Sequence, residues 1–334
     1  MEWSRALKRL DREPDLSTEV AGSLQSFLNK SGSSAGAGRT RVMASINPWS
    51  ISRLCAGSFG GRTEIEFVSG GRRLTSTVPS GELWGSVKDI LVFEEYELLG
   101  QFTCESLRGG IVVDIGAQVG LYTLKMSSFA EEVISFEPSL KNFRLLTANV
   151  ERNSVLNVRL RQQALWSSKG RVKFTDGGAG FISELGGAPG DYEVETTTLD
   201  DVVAEFGRIS LMKMDMEGAE YNVMSSSKES TLRQIDRIVA EVHIFAAGHL
   251  GELEGMIQKL RGAGFTLVIK PIPFQSVADG LLKPWRSSLQ KCDGRSVPIY
   301  RAFLSVVYGA TPIVKNLKGS IDTGTQSLLF AYRN

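Results

Sequence analysis

"VVDIGAQVG", residues 112–120, is the stretch on which the fold turns. An apolar run broken only by Asp114 reads as a buried strand. Gly116 to Gly120 reads as a tight turn into a helix, the junction where nucleotide sites of α/β proteins usually begin. The dinucleotide fingerprint G-x-G-x-x-G is absent, because Gln118 stands where the middle glycine belongs and a carboxylate, Asp114, precedes the loop. A pyrophosphate gains from a helix N-terminus but is repelled by that carboxylate and held off by a side chain at position 118. A nucleoside carrying an ammonium and no phosphate suits the loop better, and S-adenosylmethionine is such a ligand. Its amino-acid portion is expected over Gly116, Ala117 and Gly120, with Asp114 near the positive end. A tight turn holding no ligand satisfies the same residues.

Outward from this loop, apolar runs of strand length alternate with helical patterns from residue 110 to about 270. IVVDIG, VISFEP, VRLRQQALW, LMKMD, RIVAEVHIF and FTLVIKPI read as strands. GLYTLKMSSFA, SLKNFRLLTANVERN, TLDDVVAEF, GAEYNVMSSS and LGELEGMIQKLRGAG read as the helices between them. GRVKFTD reads as a short extra strand. Such alternation predicts a doubly wound, mostly parallel α/β sheet with right-handed crossovers. IYRAFLSVVYG, after residue 298, reads as the last strand. No helix-length pattern precedes it, so one strand near the C-terminus is expected to be antiparallel.

Ligands of such sheets bind at the carboxyl ends of the strands. The second strand ends Phe136-Glu137-Pro138, about 20 residues after the loop. Glu137 is there placed to accept both ribose hydroxyls, with Pro138 opening the next helix. Ala164-Leu165 closes the third strand and leaves room for an adenine ring. The fourth strand, Leu211-Met212-Lys213-Met214-Asp215-Met216-Glu217, sets Lys213, Asp215 and Glu217 on one face at period two. Charges on a central parallel strand are costly unless paired or used. His243, one of two histidines in the chain, ends the fifth strand beside Asp215 and is a candidate general base. A self-neutralising ion cluster and a packing histidine are the alternatives. A divalent cation held by Asp215, Glu217, Glu241 and His243 is a further one, ranked lower because nothing fixes its geometry; no metal is expected.

The chain has 334 residues and a net charge of +1, so no global field favours nucleic acid or a membrane surface. Cys55, Cys104 and Cys292 are scattered, without C-x-x-C spacing, which fits a reduced compartment. The first 15 residues, MEWSRALKRLDREPD, are charged throughout and carry no signal-peptide core. No apolar run reaches the ~18 residues of a membrane helix, and a soluble, cytoplasmic protein is expected. Residues 1–108 are assigned to an N-terminal accessory region, with helical patterns in 1–30, a linker at 31–40, a hairpin at 63–78 and a helix at roughly 86–100. Residues 274–295 form a long connection with Leu281, Leu282, Trp285 and Leu289 on one helical face, and 311–334 are assigned as a C-terminal tail.

Taken together, VVDIGAQVGLYTL, VISFEPSLKNFRLLTANVERN, ALWSSKGRVKF, TTTLDD, LMKMDMEGAEYNVM and VAEVH resemble, in order and spacing, FkbM-type methyltransferases over about residues 110–245. The KMDMEGAE segment is the most specific part. The resemblance implies a class I, Rossmann-like methyltransferase domain, assigned to 109–310. It also implies S-adenosylmethionine as donor and methylation of a hydroxyl on a sugar, glycan or natural-product acceptor. The donor-site positions assigned on this basis are Asp114, Gly116, Ala117, Gly120, Tyr122, Thr123, Glu137, Pro138, Ala164, Leu165, Asp215 and Glu217, with Asp215 and His243 as catalytic residues. An RNA methyltransferase on a similar fold and a non-catalytic donor-binding scaffold are the competing readings. The near-neutral charge opposes the first and the intact loop the second; no nucleic-acid partner is expected.

Overall fold

Two glycines close the first element. Gly70 and Gly71 take φ of +54° and +80° between β1 (Arg62–Ser69) and β2 (Arg72–Pro79), an antiparallel hairpin in register over its whole length. Two-residue turns between twisted strands need such angles. The computed structural model describes residues 62–79, 86, 88–92, 94–176, 181–182, 191–243, 249–271 and 326–333. The helical patterns of 1–30, the linker at 31–40 and the 274–295 connection lie outside the described residues.

The stretch quoted first forms β3 (Ile111–Ile115), followed by α1 (Leu121–Met126), β4 (Glu132–Phe136) and α2 (Leu140–Arg152). Next come β5 (Val158–Arg161), β6 (Ala164–Leu165), β7 (Gly170–Thr175), β8 (Phe181–Ile182) and β9 (Tyr192–Thr197). Then follow α3 (Leu199–Phe206), β10 (Leu211–Met214), α4 (Glu220–Ser226), α5 (Glu229–Leu232), β11 (Arg237–His243), α6 (His249–Gly262), β12 (Thr266–Pro271) and β13 (Gln326–Tyr332). Seven of these strands make one sheet in the order β12-β13-β11-β10-β3-β4-β5. Neighbours from β11 through β5 are parallel, while β13 runs antiparallel to both β11 and β12. This is the doubly wound, class I methyltransferase architecture expected, with its reversed strand near the C-terminus.

Alternate strand residues feed two cores. Val113, Ile115, Ile134, Met212, Met214 and Ile238 pack with α3, α4 and α6 on one face. Val112, Val133, Leu211 and Val239 pack on the other with Tyr122 and Met126 of α1 and with Tyr96, Phe102 and Leu107. Capping follows the sequence: Ser139 accepts from Asn142 N at the start of α2, and Thr198 from Asp201 N at the start of α3.

Four expectations are corrected. The antiparallel strand lies at 326–332, inside the stretch assigned as a tail; the run after residue 298 lies outside the described residues. The helix expected at roughly 86–100 is instead a five-residue π turn (Lys88–Val92) followed by short 3-10 turns, held by tertiary packing of Tyr96, Phe102 and Leu107. The third strand breaks after Arg161, and Ala164–Leu165 leaves the large sheet to pair with β9 in a second sheet ordered β6-β9-β7-β8. Pro138 precedes the Ser139 cap and so stands outside the first turn of α2.

The hairpin is fastened to the domain through Asn149 of α2 and Asn153, which caps that helix at its C-terminus. Asn149 and Asn153 each accept from and donate to the β2 backbone, at Thr77 and Thr75, as another strand would. Asn149 also donates to Val119 O at 2.8 Å, which ties the hairpin to the glycine loop.

Candidate active site

The loop after β3 spends its own donors internally. Gly116 N and Ala117 N both donate to Phe136 O, Gly120 N donates to Ala117 O, and Gln118 N donates to Glu137 Oε2 at 2.7 Å. A phosphate cradle needs those N–H groups free. Gln118 takes φ +52°, a glycine-like conformation, so a residue with a side chain occupies the middle-glycine position. Gly116 is demanded by the chain itself: at φ +74°, a Cβ there would lie 1.8 Å from the Asp215 carbonyl oxygen. Gly120 is likewise crowded, by Leu146 at 2.4 Å.

A cleft open to solvent runs along the strand ends. Gly116 and Gln118 form one side, and Glu137 and Pro138 the next. Phe136, Ala164, Leu165 and Phe174 supply an apolar wall, and Asp215, Met216 and Glu217 close the far end. Glu137 is 5% exposed and accepts Gln118 N and Ser139 N, one on each carboxylate oxygen. Burial pushes its carboxyl up to about 7, against the opposing pull of those two bonds. Each oxygen keeps a lone pair for a further donor.

Asp114 does not line the cleft. It is fully buried, accepts Thr123 Oγ1 at 2.7 Å and lies 3.3 Å from Lys213 Nζ. Lys213 also donates to Gly116 O at 2.9 Å and sits 3.6 Å from Asp215, binding β3 to β10 at their tips. Burial alone would lower the Lys213 pKa, but Asp114 and Asp215 raise it further than burial lowers it. Asp114 therefore has a cation inside the protein, in Lys213. Ala117, Gly120, Tyr122 and Thr123 also stand behind the cleft, as its support. Gly116, Glu137, Pro138, Ala164, Leu165, Asp215 and Glu217 line the cleft together.

β10 ends at Met214, so Asp215 and Glu217 belong to a loop and do not continue the strand alternation. Glu220 shapes that loop: it accepts Met216 N at 2.7 Å and Gly218 N at 2.8 Å, while Glu217 and Gly218 take φ of +54° and +101°. Burial raises the Glu220 carboxyl to about 8. Tyr96 reaches the same tip and donates to Asp215 Oδ2 at 3.1 Å. Sequence reading missed Tyr96 and Glu220; the E-x-x-E spacing of the segment KMDMEGAE, Glu217 to Glu220, carried a signal only for Glu220. The backbone of His243 closes β11 opposite Gln326, and its side chain lies outside the described residues. Among the described residues no group of three or more His, Cys, Asp or Glu is arranged to hold a metal ion. No helix among them is long and apolar enough to cross a membrane.

The family model "Methyltransferase FkbM domain" matches residues 114–267. The chain is similar to 31-O-demethyl-FK506 methyltransferase FkbM of Streptomyces tacrolimicus, 31% identical over 202 residues, 49% of this chain and 76% of that protein. It is also similar to AMB antimetabolite synthetase AmbE of Pseudomonas aeruginosa, 27% identical over 209 residues, 48% of this chain but 10% of that one. Among solved structures, methyltransferase FkbM of Methylobacillus flagellatus KT aligns with a TM-score of 0.37 at 15% identity, covering 48% of this chain and 40% of that one. The family model and the relative from Streptomyces tacrolimicus, on a chain with this strand order and this loop on β3, lead to one conclusion: the chain belongs to the FkbM methyltransferase family.

Proposed function

We propose that the chain uses S-adenosylmethionine to methylate a hydroxyl of a small-molecule acceptor, a sugar, glycan or natural product. The observation that carries the donor assignment is Glu137. Its buried carboxylate opens on the cleft beside a loop whose N–H groups are already taken, which favours a ribose without a pyrophosphate. The apolar wall of Phe136, Ala164, Leu165 and Phe174 suits an adenine ring. Hydroxyl methylation is supported by the name of the relative that acts on 31-O-demethyl-FK506.

The donor supplies an electrophilic methyl on a sulfonium; as the acceptor oxygen bonds to that carbon, the carbon–sulfur pair leaves on sulfur and the acceptor proton is released. The chain's contribution is chiefly orientation. Gly116 and Asp215 approach one another at the cleft end, with Asp215 half-buried and steadied by Lys213 and Tyr96. Holding the reacting atoms in line is the larger share of the acceleration. Asp215 takes the released proton, an effect of about 10²–10⁴ in rate.

Incubation with methyl-tritiated donor and a panel of hydroxyl-bearing sugars and macrolides tests this reading. Label is expected in an alkali-stable ether of at least one acceptor. Label recovered only on nitrogen or carbon would contradict the hydroxyl assignment, and label recovered only on added RNA would contradict the small-molecule acceptor.

A further inference from the structure

Tyr96 stands where no motif pointed, yet its hydroxyl joins two strand tips. It lies 3.1 Å from Asp215 Oδ2 and 3.4 Å from Glu241 Oε2, the second at the outer edge of hydrogen-bond reach. The register explains the meeting. Met214 pairs with Ala240 across parallel β10 and β11, so Asp215 and Glu241 follow one residue later at adjacent ends. The Tyr96 ring is 4% exposed, packs edge-on against Tyr122 at 5.5 Å and carries Lys213 Nζ 5.4 Å from its centroid. It cannot swing away to serve one carboxyl alone.

A phenol has one proton, so two carboxylates cannot both accept it at once. The shorter contact gives that proton to Asp215. Tyr96 Oη then turns its lone pairs toward Glu241, and the contact is favourable when Glu241 is the neutral acid and donates. We propose that Glu241, Tyr96 and Asp215 form an ordered hydrogen-bond chain, Glu241 donating to Tyr96 and Tyr96 to Asp215, and that Tyr96 and Glu241 are positioning residues for Asp215. The inference rests on the reading of Asp215 as part of the methyl-transfer site.

The surroundings of Glu241 agree. Asp215 and Glu217 face it from the β10 side, and Glu95 and Asp89 from the 88–97 segment; burial and these charges hold its carboxyl well above the ordinary carboxylate range. Lys213, the ammonium at this tip, is ion-paired to Asp114 and Asp215. Burial, with Asp215 and Glu241 beside it, likewise holds the Tyr96 phenol well above its ordinary range, so it keeps its proton across neutral pH. The chain fixes one carboxylate oxygen of Asp215 and leaves the residue at the cleft, where the acceptor hydroxyl is expected.

The test is a carbon-13 NMR titration of the full chain labelled at Glu and Asp carboxyls, from about pH 4 to about pH 9. The Glu241 signal is identified by its loss in Glu241→Gln. Tyr96→Phe keeps the ring and removes only the hydroxyl. It is expected to lower the Glu241 midpoint by about one pH unit, because the neutral acid loses its acceptor. Affinity for S-adenosylhomocysteine, measured on the same samples, should change by less than about threefold. An unchanged midpoint overturns the chain, and a raised one shows Tyr96 donating to Glu241 instead. If Tyr96→Phe does not fold, Glu241→Gln decides: its amide donates as the neutral acid does, so stability at neutral pH should be kept, and marked destabilisation overturns the proposal. Absence of S-adenosylhomocysteine binding by the unaltered chain would instead remove the donor-site reading, and with it any positioning role.

Discussion

The backbone N–H of Gln118 donates to the Glu137 carboxylate at 2.7 Å, so the residue in place of the expected glycine is bound to the residue expected to hold the ribose. Ser139 N engages the other oxygen at 2.9 Å. Glu137→Ala therefore removes two functions together. It strands two N–H groups, at a cost of about 1–3 kcal/mol in stability, and it removes the ribose acceptor, weakening donor affinity more than tenfold. Thermal unfolding with and without S-adenosylhomocysteine separates the two. A variant that loses stability but binds normally would leave Glu137 as a loop fastener only.

Gln118 itself supplies the converse test. Its φ of +52° is strained for a side chain, so Gln118→Gly should be neutral or stabilising by up to about 1 kcal/mol. It should not acquire affinity for NAD, because the neighbouring N–H groups stay bound to Phe136 O and Ala117 O. NAD binding by Gln118→Gly, measured calorimetrically, would show that the side chain alone had excluded the pyrophosphate.

Glu137 and Glu220 also set a pH dependence. Both are buried, with carboxyls raised from 4.5 to about 7 and about 8. The folded state then binds protons that the unfolded state has already released, so their contribution is fully present below about 4.5 and lost as pH rises through 7 to 8. The chain without donor should lose stability between pH 5 and pH 8, a trend checked by denaturant titration at each pH. Ribose hydroxyls favour ionised Glu137, so donor binding below about pH 7 should release a proton, visible as a buffer-dependent heat. Rising stability over that window would contradict the burial of these two groups.

Gly116 is required by backbone packing. A Cβ at 1.8 Å from Asp215 O must push the 215–218 loop away, so Gly116→Ala should cost well over the ~1–2 kcal/mol of left-handed strain and lose the donor as well. Gly109 has the same φ of +74° with nothing within 4 Å of a Cβ. Gly109→Ala should cost only the strain and bind normally. Equal unfolding temperatures for the two variants would contradict the close approach.

Much of this was legible in advance because the information was local. The β3 loop, Glu137 at the next strand tip and Asp215 just after the fourth strand declare themselves by glycine spacing and by strand ends, and residues of each line the cleft. The misses are tertiary. Nothing near Asp114 in sequence says that Lys213, 99 positions away, will neutralise it; the register pairing Lys213 with Asp114 across β3 and β10 does so. Tyr96 meets Asp215 across 119 positions, through a segment whose helical pattern is overridden by packing. The runs SLLFAY and IYRAFLSVVYG are alike in composition, so no local property distinguished the strand that enters the sheet beside β11.

The central claim is that this cleft holds S-adenosylmethionine through Glu137 and excludes dinucleotides. Calorimetric titration of the full chain with S-adenosylhomocysteine, and separately with NAD, tests it most directly. One S-adenosylhomocysteine per chain, with Kd on the order of micromolar and no heat from NAD, is the expected result. No binding of S-adenosylhomocysteine, or NAD bound as tightly, would contradict it.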